Sequence, residues 1–72
     1  MDIQRLIAMA NQIGDFYKSH PDQAQAHIEM ASHLNHFWAL PMRKQIAQYV
    51  SEQGGGGLHQ HVLESIKEHL QV

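Results

Sequence analysis

The sequence contains no cysteine. Disulfides, cysteine–zinc sites, iron–sulfur ligation and thiol catalysis are therefore excluded. Positive charge is also scarce. Five Lys and Arg stand against seven Asp and Glu, for a formal net charge of −2. No basic footprint for nucleic acid exists. No apolar run approaches the ~20 residues of a membrane span. The segment from Met1 to Phe16 lacks a basic stretch followed by a clean apolar one, so no signal peptide is expected and the cytoplasm is the expected location.

What is present suits a small folded domain. Of 72 residues, 43% are hydrophobic and 17% charged, a balance that favours a core over disorder. A chain this short buries only about 60% of its unfolded surface. Ordering costs roughly 1.5 kcal/mol per residue, so net stability is marginal. Without disulfides, a metal or a partner surface is the usual remedy.

Hydrophobic periodicity predicts four helical segments. The first runs from about Ile3 to Lys18, with Asp2 as N-cap and an apolar stripe of Ile3, Leu6, Ile7, Ala10, Ile13 and Tyr17. Met9 and Phe16 lie beside that stripe. Pro21 suits the first turn of a second helix from about Asp22 to Phe37 or Trp38. Its expected apolar side is Ala24, Ile28, Ala31, Leu34 and Trp38. Pro41 places a boundary near Leu40, and a third helix follows to about Glu52. Gly54 to Gly57 cannot continue a helix cheaply and reads as a capping turn. A last helix spans about Leu58 to Leu70. There is no strand pattern, repeat or sustained heptad. The expected fold is all-α: a single domain over residues 1–72, a small bundle of three to four short helices.

Seven histidines invite a metal hypothesis. The best set is Glu29, His33 and His36, whose i, i+4, i+7 spacing puts one carboxylate and two imidazoles in a narrow helical sector. That sector lies opposite the expected apolar side, where a polar stripe is ordinarily solvated. His59 and His61, two apart, diverge on a helix, and His20, His27 and His69 read as isolated. Gly54 to Gly57 lack the preceding strand and the Lys with Ser or Thr of a phosphate cradle. No serine sits in a nucleophile elbow, and so small a bundle has little room for a ~300 Å³ ordered pocket. An independent enzyme is not expected.

Phe37 and Trp38 carry more weight. Rotated by ~100° from each other, they do not both fit one narrow core. Met9, Phe16 and Met30 also flank their helices' apolar centres. Three short helices cannot hide this much apolar bulk, and aromatics and Met are enriched at protein–protein interfaces. Association with a partner is expected.

The ordered set Leu6-Ile7-Ala8-Met9-Ala10-Asn11-Gln12-Ile13, His33-Leu34, Phe37-Trp38, Met42-Arg43 and Gly54-Gly55-Gly56-Gly57-Leu58 resembles the delta subunit of NAD-dependent formate dehydrogenase. The glycines match that family's Gly-Gly-x-Gly-Leu. One departure stands out. The family's Trp-Asp-Pro-Arg-Met-Arg is here Trp38-Ala39-Leu40-Pro41-Met42-Arg43, so an N-capping Asp is replaced by Ala39 and the proline comes one place later. The resemblance implies a small cytoplasmic accessory subunit of a molybdenum-containing complex. That complex oxidises formate and passes electrons through iron–sulfur clusters and FMN to NAD. This chain would bind none of these cofactors itself. It would dock on the catalytic alpha subunit and support assembly, cofactor insertion or stability. The contact residues expected are Phe37, Trp38, Met42 and Arg43, then Asn11 and Gln12. Two other readings remain: a free-standing module that forms homo-oligomers when isolated, and a maturation helper using the Glu29, His33, His36 stripe or the glycine turn for metal or nucleotide.

Overall fold

The computed structural model describes residues 1–72 and contains four helices: α1 (Ile3–Tyr17), α2 (Gln23–Phe37), α3 (Leu40–Gln53) and α4 (Gln60–His69). Local chemistry sets most of the boundaries. The Asp2 carboxylate accepts the Gln4 N–H and starts α1, and Asp22 does the same for Gln25 at α2. Pro21 thus lies just outside α2 rather than in its first turn, because Asp22 offers the better cap. Helix α3 begins at Leu40 with Pro41 in its first turn, where the missing N–H has no partner to lose. It ends at Gly54 in left-handed conformation, as the glycine run predicts.

Ten buried residues form one core: Leu6, Ile7, Ala10, Met30, Leu34, Trp38, Ile46, Val50, Val62 and Ile66. Helix α1 turns the stripe expected of it inward, with Leu6, Ile7 and Ala10 buried and Ile3, Ile13 and Tyr17 partly buried. Helix α2 does not. Its buried residues are Ala26, Met30, Ala31 and Leu34, while Ala24 and Ile28 face solvent. The apolar residues of α2 are spread around the helix, so periodicity alone could not choose a face. Helix α4 chooses it. The most extensive packing in the molecule is between α2 and α4. Small side chains at Ala26 and Ala31 let α4 approach, and the buried Ser65 hydroxyl donates to the His27 carbonyl at 2.6 Å. Met30, unbranched and adaptable, fills the space beside them.

The shortest helix is held at both ends by side chains from other helices. Neither end of α4 has a side-chain cap of its own sequence. At its start, Asn11 on α1 accepts the His59 N–H at 3.0 Å and donates to the Gly57 carbonyl at 2.9 Å. At its end, Asn35 on α2 donates to the His69 carbonyl at 3.2 Å and accepts the Gln71 N–H at 2.9 Å. Orphan groups at helix termini are satisfied in this way. Between these two clamps α1 crosses α4 at Gly14, where a Cβ would collide with Val62. Close approach, not chain flexibility, explains this glycine.

Candidate interaction surface

Phe37 is the last residue of α2 and Trp38 its C-cap. Helical geometry ends between them, and the two rings part. Trp38 is 6% exposed and belongs to the core, whereas Phe37 is 75% exposed. The Phe37 ring does not hang free. His33, one turn earlier, lies 4.8 Å away centroid to centroid, tilted by 41°. His36 flanks it at 6.5 Å. On α1, Phe16 is 88% exposed, its ring 5.9 Å from that of Tyr17 centroid to centroid and tilted by 53°, while Tyr17 packs against the core. Ile28, displaced from the core by the rotation of α2, is 45% exposed.

These side chains line two adjoining hollows between α1 and α2. The first, about 310 Å³, is bounded by Gln12, Ile13, Phe16, Tyr17 and His33. The second, about 420 Å³, runs from Tyr17 and His33 past Ile28 to Phe37. They meet at Tyr17 and His33. Charge is almost absent. The only Asp, Glu, Lys or Arg lining either hollow is Glu29, which stands 3.7 Å from the imidazole of His20.

The six expected contact residues fall into three places. Phe37 and Gln12 are on the α1–α2 face. Trp38, Met42 and Arg43 form the α2–α3 corner: Trp38 is buried, Met42 is half-buried against the core, and the Arg43 Nη1 donates to the Asn35 carbonyl at 2.9 Å. Asn11 is engaged in clamping the glycine turn. Phe16 and Ile28 complete the face. Phe16 was legible as an aromatic just off the α1 stripe. Ile28 was not, because its exposure depends on which side of α2 meets α4.

The metal candidates Glu29, His33 and His36 border the same hollow but form no ligand set. No group of three or more His, Asp or Glu side chains is placed to hold an ion. Glu29 turns to His20, His33 to Phe37, and the His36 Nδ1 donates to the Ser32 carbonyl at 2.7 Å. Nor are the other histidines isolated. His27 lies 3.7 Å from Glu64 and 3.4 Å from Glu68, and His61 bonds the Gly14 carbonyl at 2.9 Å. His59 and His61 do not diverge: their rings stack at 6.0 Å, because His59 precedes α4 instead of lying on it. Every contact between a basic side chain and a carboxylate in the molecule uses a histidine, and becomes an ion pair only when that histidine is protonated.

Comparison with curated proteins and with solved structures finds no significant match. A family model does match, over residues 5–71: NADH-dependent formate dehydrogenase delta subunit FdsD. The matched span takes in the Asn11 clamp, the Phe16–Phe37 face, the α2–α3 corner and the glycine turn, all within a chain of four helices. The chain belongs to the family of delta subunits of NADH-dependent formate dehydrogenase.

Proposed function

We propose that this chain is a cofactor-free accessory subunit that docks on the catalytic alpha subunit of formate dehydrogenase and supports assembly or stability of the complex. The observation that carries the reading is the parting of Phe37 from Trp38. One ring completes the core and its neighbour stands outside it, 75% exposed and braced by His33. Large exposed aromatics are typical anchors of protein–protein contacts. Membership of the delta-subunit family supports a partner among the other formate dehydrogenase subunits. Met42 and Arg43 at the neighbouring corner are the secondary contacts in this reading.

Co-expression with the other subunits tests it. Omitting this chain is expected to lower the yield of complex that contains the catalytic subunit, and the chain should co-purify with that subunit. A catalytic subunit that assembles equally well, and is equally stable, without this chain would count against the reading.

A further inference from the structure

We infer that Arg43, at the corner between α2 and α3, is a charge anchor that takes the carboxylate of an Asp or Glu side chain on a partner subunit of formate dehydrogenase. The inference rests on the proposed docking role and names the chemistry of one contact within it. Among the five Lys and Arg, Arg43 is the one that is partly buried, and the other four are exposed. One side of its guanidinium is fixed, where Nη1 donates to the Asn35 carbonyl at 2.9 Å. Asn35 is itself held, because its side chain clamps the end of α4. The Nε N–H is sealed from water and has no acceptor. Nη2 makes no hydrogen bond either and, unlike Nε, is not sealed off. A partly buried cation is thus set in place with one edge open and no counter-charge. Such a group costs free energy until an anion pairs with it.

The chain's own acidic side chains are engaged elsewhere. Of its seven Asp and Glu, two cap α1 and α2, four contact histidines, and Glu52 accepts from Gln48. No acidic residue occurs from Met30 to Ser51, a stretch that holds the second half of α2 and nearly all of α3. Arg43 and Lys44 both fall within it, so the corner is cationic on a chain of net charge −2. Its rim is apolar and open, with Ala39, Leu40 and Pro41 exposed. Two cations do not make a nucleic-acid footprint. The guanidinium fork suits a carboxylate, and its charge is delocalised, so an anion at Nη2 offsets the whole group. Since Nη1 is already held, little side-chain freedom is lost on pairing.

Co-expression with the other formate dehydrogenase subunits, followed by co-purification at rising salt, is the first test. Wild type, Arg43→Gln and an Arg5→Gln control are compared. Arg43→Gln is expected to lower retention on the complex at least about tenfold, and the control to change it less than about twofold. Wild-type retention should fall as salt rises, and that of Arg43→Gln should fall much less, since the screened pair is gone. The second test uses Arg43→Lys in the complex, treated with a carbodiimide that joins an amine to a carboxylate it touches. Mass spectrometry should find position 43 linked to an Asp or Glu of another subunit. Should Arg43→Gln lose its helical circular dichroism, the cross-link alone decides. Full retention of a folded Arg43→Gln with unchanged salt dependence, or no cross-link at position 43, overturns the inference and leaves the docking role intact. A link to a carboxylate of this same chain, that of Val72 included, or to a second copy also overturns it. Failure of the wild type to co-purify removes the docking role and this inference with it.

Discussion

Trp38 and Phe37 are adjacent in sequence, and one bond separates a core residue from a surface one. Removing each ring should therefore have opposite kinds of consequence. Trp38→Ala leaves a cavity in the shared core, costing about 3–5 kcal/mol. For a domain this small that is most of its stability, so urea unfolding should show the variant largely unfolded without denaturant. Phe37→Ala, at an exposed position, should change stability by less than about 0.5 kcal/mol in the same measurement. An equal effect from both would mean that Phe37 is packed, contrary to its 75% exposure. Glycines follow a similar logic. Gly54, Gly55 and Gly57 have positive φ, and Gly56 does not. The variable position of the family's Gly-Gly-x-Gly-Leu thus coincides with the one glycine whose backbone any residue can adopt. Gly57→Ala should cost about 1–2 kcal/mol through left-handed strain, with Ile7 only 3.4 Å from the added Cβ. Gly56→Ala should be neutral or stabilising by about 0.5 kcal/mol. Thermal unfolding of the two variants distinguishes them, and reversed signs would refute this account of the turn.

At the scale of the helix, α3 and α4 depend on different devices. Helix α3 has Ala39 at its N-cap, which supplies no side-chain cap although its backbone has the non-helical conformation a cap residue needs. Its carbonyl already accepts the N–H groups of Met42 and Arg43. Restoring the family's acid, as Ala39→Asp, should stabilise the protein by about 1 kcal/mol. A higher urea midpoint at unchanged slope is the expected signature. Helix α4 spans 10 residues, too few to be stable alone. Its ends are tied by Asn11 and Asn35. Asn11→Ala strips the partner from two backbone groups at once and should cost about 1–3 kcal/mol. Amide exchange should show the glycine turn and the start of α4 losing protection first. Uniform loss across all four helices would show that the clamp has no local role.

For the molecule as a whole, marginal stability and an unburied face are linked. Four short helices close one core of ten buried residues, and the same helices leave Phe16 and Phe37 uncovered. Covering them in a complex adds binding free energy to the folded state alone, so the thermal midpoint should rise on assembly and do so with partner concentration. Differential scanning fluorimetry of the free chain and of the assembled complex measures this. An unchanged midpoint would mean that docking and folding are uncoupled. The ion pairs reinforce the picture. Each uses a histidine, and exposed pairs of this kind contribute little. Apolar packing and the two asparagine clamps hold the fold.

Local features were readable from the sequence because their physics is local. Asp2 and Asp22 cap, proline and glycine interrupt, and the α1 stripe repeats at helical period, so the helices and their approximate limits follow from neighbours a few residues away. The all-α fold and the family resemblance share that origin. Long-range choices could not be read so. Which side of α2 turns inward was decided by α4, through Ala26, Ala31 and the Ser65 hydroxyl, and that choice moved Ile28 outward and Met30 inward. The return of the glycine turn against Asn11, 46 residues away in sequence, was equally out of reach of any local pattern. Periodicity reports that a helix has an apolar side. It cannot say which partner covers that side, because burial is a property of two surfaces and only one of them is written in any given segment.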